Sequence, residues 1–243
     1  MNRITVAIII ALLIGLGGIA VWTSLNTEKF DVNAYDTTKV IAADNNNGQI
    51  ADHYRGKEGA SIILVEYADL QCPGCATMMP KISKIYKEYG DRIGFVFRSY
   101  PIQGHPNARS ASAAIESANK QGFFWETLEA LYDNRIDWIN VSDTEKRTNV
   151  YADIFSKATD GKGDVEKFKK DLNDSNIQKK IDFDKTLGGK KDKVTATPTI
   201  IINGEMLDIE HASDIAKLIE DKINEYLEKD GQKTGPAETE EQE

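Results

Sequence analysis

Ile62-Ile63-Leu64-Val65-Glu66-Tyr67-Ala68-Asp69-Leu70-Gln71-Cys72-Pro73-Gly74-Cys75 is the stretch on which the fold turns. Its apolar residues run on instead of alternating, the pattern of a strand buried on both faces, and Ser61 to Ala68 is predicted to form one. Its far end carries the only two cysteines of the chain, just before an amphipathic segment predicted as a helix from Pro73 to about Tyr89. Proline suits the first helical position, where its missing N–H costs nothing. Cys72 then becomes the helix N-cap, its sulfur beside the free N–H groups of Gly74 and Cys75 and at the positive end of the helix dipole. Both effects favour the thiolate, the reactive form. Cys72 is expected to be the exposed nucleophile, and Cys75, one turn inside, the more buried resolving thiol.

Other uses of a Cys-x-x-Cys pair fit less well. A structural zinc site takes four ligands, yet the chain has no further cysteine, and His53, His105 and His211 follow no ligand spacing. A purely structural disulfide across so short a loop would constrain little of the unfolded chain. No metal site is expected.

Working outward, Arg92 to Arg98 reads as a second strand. A long stretch with helical patterns only follows, at about 105–190. Ala108, Ala111, Ile115 and Ala118 form one stripe, opened by Pro106 and closed by Gly122; Phe124, Leu128 and Leu131 form another. The Lys and Asp residues between 144 and 190 are assigned to solvated helix faces. Thr199 to Ile202 and Glu205 to Ile209 flank Asn203-Gly204, a strong hairpin signal, and a last helix runs from about Ala212 to Lys229. Strand, helix, strand, helical block, hairpin and helix make an α/β domain over 60–229 with a helical insertion.

The ends are different in kind. Ile4 to Trp22 is a run of 19 residues without a charge, about 28 Å of helix and close to the thickness of a bilayer core. Arg3 precedes it and acidic residues follow, so residues 1–3 are placed in the cytoplasm and the bulk of the chain outside. A cleaved signal peptide is the rival, but its apolar region is normally shorter and ends in small residues, unlike Ile19-Ala20-Val21-Trp22. The expectation is a single-pass anchor at 4–22, a polar stalk at 23–59 with Val40, Ile41 and Ile50 as candidates for a short strand, and a disordered acidic tail at 230–243. The net charge of −9 is mixed along the chain, which argues against a nucleic-acid surface.

Several segments together resemble the thioredoxin superfamily, and its DsbA-like branch in particular. They are Val65 to Cys75; Pro80, five residues past Cys75; Arg98-Ser99-Tyr100-Pro101; His105-Pro106-Asn107-Ala108; Gln121-Gly122-Phe123-Phe124-Trp125; and Val194 to Thr199. The resemblance spans about Asp52 to Leu227. It implies a thioredoxin-like fold with an inserted helical block, and thiol–disulfide exchange through a Cys72–Cys75 disulfide with no other cofactor. It implies that Thr197-Pro198 is the family's cis-proline loop, facing the disulfide and pairing with substrate backbone in strand fashion; alone, Pro198 would read as the start of a strand. The Thr197 hydroxyl is in reach of a thiolate there. Pro73 and Gly74 shape the site. Glu66 shares a strand face with Ile62, Leu64 and Ala68, and the resemblance places it where the superfamily keeps a buried acid that moves the Cys75 proton; the alternative is a solvated strand end. His105 is read as a loop residue and Arg98 as a sheet-end charge, neither with a redox role.

The expected partners are exported proteins with free thiols and a membrane oxidase of the DsbB or VKOR kind, with the protein a monomer. Net oxidation is favoured. Pro73-Gly74 places no cation near Cys72, so an oxidant of intermediate strength is expected. A reductase, or a tethered binding or chaperone module without redox turnover, are the alternatives.

Overall fold

The computed structural model describes residues 30–232 and 234–235. The expected anchor at 4–22, the start of the stalk and most of the acidic tail lie outside the described residues; among those described, no helix is long and apolar enough to cross a membrane. All elements below belong to the unit Val32–Glu243.

The sheet is mixed. Strand β1 (His53–Gly56) pairs antiparallel with β3 (Ile93–Ser99), β3 runs parallel to β2 (Ile62–Ala68), and β2 pairs antiparallel with β4 (Thr199–Ile202), which hairpins into β5 (Glu205–Met206), giving the order β1-β3-β2-β4-β5. All seven residues of the central β2 are buried, which accounts for its unbroken apolar run. Alternation sends its side chains to two cores. Ile62, Leu64 and Ala68 join Phe95, Phe97, Ile200 and Ile202 under helices α1 (Pro73–Tyr89) and α8 (Ile215–Lys229). Ile63, Val65 and Tyr67 join Val96, Val194 and Ile201 on the other face. Helix α1 buries Cys75, Met78, Met79, Ile82, Ile85 and Tyr89, spaced as a helix needs to present one apolar stripe.

Between β3 and β4 lie α2 (Ala108–Asn119), α3 (Phe124–Asp133), α4 (Arg135–Trp138), α5 (Thr144–Ala158), α6 (Val165–Asp171) and α7 (Ser175–Lys190). Helix α2 is buried on nearly every side; its alanines and serines let neighbours close in all round. Asp143, Asp164, Asp174 and Asp214 each accept a backbone N–H at the start of α5, α6, α7 and α8, so several aspartates of this polar stretch are helix caps.

Several expectations need correcting. First, the described part of 23–59 is not a stalk. Ile41 is buried, Ile50 packs with Ala113, Ile177 and Ile181, and 53–56 is a strand of the sheet. No strand forms at Val40, Ile41 or Ile50. Second, Lys180 and Asp184 on α7 are fully buried, not solvated. Third, Arg98 does lie at the end of β3, but not as a peripheral charge. It is buried at the centre of a polar cluster: its Nη2 is 2.7 Å from Asp52 Oδ2, Lys180 Nζ is 3.1 Å from Asp52 Oδ1 and 2.8 Å from Asp184 Oδ1. Arg98 also donates to the carbonyls of Thr37 and Lys39, and Asp52 accepts the Ile41 N–H. Two buried cations therefore hold the 37–52 segment onto β3 and α7. Fourth, residues 230–232 continue the α8 cap, with Gln232 N bonded to Leu227 O and Asp230 to the Ser61 hydroxyl. The hairpin is also shorter than expected, since only Glu205 and Met206 pair as strand. Its turn is Asn203-Gly204, both at positive φ, as a tight primed turn demands.

The cluster around Asp52 generates the first prediction. Its pKa is lowered because, although burial raises it, Arg98 and Lys180 outweigh that burial. Asp52→Ala leaves two buried cations short of a partner and should cost about 3–5 kcal/mol. Urea unfolding at pH 7 measures this, and a loss below about 1 kcal/mol would mean the 37–52 segment is not held this way.

Candidate active site

Strand pairing assembles the site. Tyr67 lies opposite Thr199 across the antiparallel β2/β4 pair, so the chain leaving β2 passes the chain entering β4. The first carries Cys72-Pro73-Gly74-Cys75; the second carries Thr197-Pro198, whose peptide bond is cis. Cys72 caps α1 with extended backbone (φ −67°, ψ 126°), and Pro73 occupies the first turn. Gly74 is what lets that turn approach the loop: a Cβ there would sit 3.2 Å from Pro198 Cδ and 3.6 Å from Cys72 Sγ.

Both cysteines are free thiols. Cys72 is less exposed than expected, at 8 %, against 0 % for Cys75. Its sulfur makes no ideal capping hydrogen bond, and the thiol donates to Thr197 O at 3.4 Å; the Gly74 and Cys75 N–H groups nonetheless lie close enough to favour its anion, as expected. The two sulfurs differ sharply in acidity. The Cys75 thiol, against burial, lowers the Cys72 pKa from 9.0 to about 5, helped by the Cys75 N–H, the Thr197 side chain and the Gly74 N–H. Burial pushes the Cys75 thiol up, and the Cys72 sulfur and Glu66 push it further. The Thr197 hydroxyl is buried without a partner, a donor ready for the anion that forms beside it.

Glu66 is buried, 1 % exposed, so its strand end is not solvated. Burial raises its pKa from 4.5 to about 8, with Arg55 pulling the other way, and Oε2 has no hydrogen-bond partner. A carboxyl that is mostly protonated at neutral pH, beside a thiol that must gain and lose a proton, has the properties of a proton donor to it. Arg55, on β1, lies among the rings of Tyr86, Phe95 and Trp125, with its carbon 4.3, 5.2 and 4.4 Å from their centroids. Sequence reading missed it, because it lay in the presumed stalk.

His105 lies in the loop before α2, as expected, and bonds to Asp69 through Nδ1, 2.8 Å from Oδ2. Asp69 reaches both cysteines through its backbone; it stood in the opening segment without an assigned role. Among the described residues, no cluster of His, Cys, Asp or Glu is placed to hold a metal ion.

Two outcomes follow from these environments. Thr197→Val removes a donor to the Cys72 thiolate and should raise the midpoint of its absorbance titration at 240 nm by about one pH unit; an unmoved midpoint would remove Thr197 from the anion's support. Glu66 has a folded-state pKa above its unfolded one, so its penalty is absent below about 4.5 and complete above about 8. Glu66→Gln should therefore raise Tm at pH 8 by roughly 5–10 °C and leave it nearly unchanged at pH 4. Equal shifts at both pH values would show that Glu66 does not titrate as a buried acid.

Comparison with known proteins agrees with this geometry. A family model described as thioredoxin matches residues 48–221. The solved structure of BdbD from Bacillus subtilis is similar at 25 % identity and TM-score 0.60, covering 78 % of this chain and 99 % of that one. α-DsbA1 from Wolbachia pipientis is similar at 25 % identity and TM-score 0.58, covering 73 % and 92 %. Among curated proteins, a chain named Na(+)/H(+) antiporter NhaA 1 of Mycolicibacterium vanbaalenii is 32 % identical over 156 residues, covering 63 % of this chain and 23 % of that one. The shared region is thus about a quarter of the length of those curated relatives. With most of its length matched, the chain belongs to the thioredoxin family, and its fold is that of the family's DsbA-like thiol–disulfide oxidoreductases.

Proposed function

We propose that the protein is a thiol–disulfide oxidoreductase that introduces disulfides into exported proteins. The observation that carries this reading is geometric: Cys72 starts α1 with its sulfur 3.4 Å from Thr197 O beside the cis Thr197-Pro198 bond, while Cys75 is fully buried one turn on, an arrangement that favours the Cys72 anion and disfavours that of Cys75. Starting from the Cys72–Cys75 disulfide, a substrate thiolate attacks Cys72 Sγ; the bond to Cys75 breaks, and Cys75 leaves and takes up a proton, with Glu66 as donor. The substrate's second thiolate then attacks the substrate sulfur of the mixed disulfide. Cys72 leaves as a thiolate, which is a good leaving group because its pKa is low. The substrate has lost two electrons and the protein has gained them. Thr197 and Pro198 receive the substrate backbone, and Thr195 and Ala196 beside them are exposed.

Stabilising the Cys72 thiolate stabilises the reduced protein and so makes the disulfide more oxidising. A pKa of about 5 lies between the values of roughly 7 for thioredoxin and 3.5 for DsbA. A Cys72 thiolate stabilised more than thioredoxin's makes the disulfide more oxidising than thioredoxin's roughly −270 mV and less so than DsbA's roughly −120 mV. Pro73 and Gly74 supply no charge that would carry it further. Re-oxidation calls for a membrane oxidase of the DsbB or VKOR kind, and an anchor at 4–22 would hold a monomeric catalytic domain outside the cytoplasmic membrane beside it.

The decisive measurements are the equilibrium of Cys72 and Cys75 against glutathione, and capture by a Cys75→Ser variant. A potential between roughly −270 mV and −120 mV, and mixed disulfides between Cys72 and exported proteins, are expected. A potential near −270 mV would make the protein a reductase. A Cys75→Ser variant that captures no exported protein would favour a binding or chaperone module instead.

A further inference from the structure

Asp69 is fully buried and sits between the end of β2 and the Cys-x-x-Cys turn. Its backbone reaches both sulfur-bearing residues: its N–H points at Cys75 Sγ at 3.5 Å, and its carbonyl accepts the Cys72 N–H at 3.0 Å. Its carboxylate is held from three directions. Oδ1 accepts the Gln71 N–H at 2.7 Å; Oδ2 accepts the Ile102 N–H at 2.8 Å and meets His105 Nδ1 at 2.8 Å. The turn is tied beyond this as well, with Gln71 Oε1 accepting the Asn107 N–H and Gln71 O accepting from Arg135. A buried carboxylate with three donors fixes the plane of its own peptide, and that peptide is the one addressed to the dithiol.

We propose that Asp69, oriented by His105, is the positioning residue of the resolving step: it aims a backbone N–H at Cys75 so that the Cys75 thiolate can form when a mixed disulfide is to be opened. The inference rests on thiol–disulfide exchange through Cys72 and deepens it. Cys75 is the difficult partner of the pair, since it is buried among Cys72, Glu66 and Tyr132. The Asp69 N–H is a group that favours its anion. The Asp69 carboxylate charge acts the other way, but its three donors face it and the N–H faces the sulfur. The two influences predict opposite signs for Asp69→Asn, which makes the test sharp. Asparagine offers one acceptor oxygen where the carboxylate offers two, so it cannot keep both sets of donors. The turn loses an anchor while volume is preserved.

The full-length reduced protein is mixed with 5,5′-dithiobis(2-nitrobenzoate). Cys72 attacks the reagent and releases one thionitrobenzoate; Cys75 then attacks Cys72 Sγ, closes the disulfide and releases the second. The first phase reads Cys72 and the second reads Cys75. For Asp69→Asn we expect the second phase about tenfold slower at pH 7, its pH profile displaced upward by about one unit, and the first phase within about twofold of the parent. His105→Phe, which leaves the carboxylate in place and removes one donor, should slow the second phase by a smaller factor, and His105→Gln should restore it. A second phase in Asp69→Asn that is unchanged or faster overturns the proposal, as does an equal slowing of both phases. If Asp69→Asn does not fold, an unchanged second phase in His105→Phe overturns it. A parent that never releases the second thionitrobenzoate would instead count against exchange through Cys72 and Cys75.

Discussion

The antiparallel pairing of β2 with β4 is the constraint on which the site depends. Cys72 and Thr197 are 125 positions apart in the chain, and only this pairing, with Tyr67 opposite Thr199, sets the end of one strand beside the start of the other. Parallel pairing would put the start of β4 at the opposite end of β2, away from the cysteines. Because β2 is buried in all its residues and flanked by β3 and β4, its register is held from both sides. A one-residue slip would turn Glu66 to the other face and take the cysteine turn with it. The insertion and the 37–56 segment are arranged around that frame, the latter through the Asp52–Arg98–Lys180 cluster.

The chemistry comes from asymmetry within one helical turn. Cys72 lies at the helix start among groups that favour its anion, while Cys75 faces the apolar core with a buried carboxyl near it. A thiol that ionises early attacks and leaves well; a thiol that ionises late must be helped. In the proposed exchange, Glu66 and the Asp69 peptide are that help: a buried carboxyl able to give up a proton, and an N–H directed at the sulfur. Neither needs a cation between the cysteines, where Pro73 and Gly74 supply none.

Much of this was legible in the sequence because the signals were local. The unbroken run of β2, the Pro73 start of α1 and the Asn203-Gly204 turn each name their own structure, and Cys72 and Cys75 announce their chemistry by spacing. Glu66 was legible from strand alternation, and Thr197-Pro198 from family resemblance. What stayed hidden depends on contacts distant in sequence. Arg98, Asp52 and Lys180 are ordinary surface charges until three segments bring them together. Residues 37–56 read as a stalk because their burial is supplied by α7 and β3, not by periodicity of their own. Asp69 was in plain view, but its meaning lies in His105 and Ile102, more than thirty positions on.

The central claim is that this fold makes Cys72 a thiolate at neutral pH. It is tested most directly by titrating the reduced protein while following thiolate absorbance at 240 nm, with Cys72→Ser as the blank. The account predicts a single cysteine ionising with a midpoint near 5, the value set by the Cys75 thiol, the first-turn N–H groups and Thr197. A midpoint near the ordinary cysteine value of about 8.5 would contradict it.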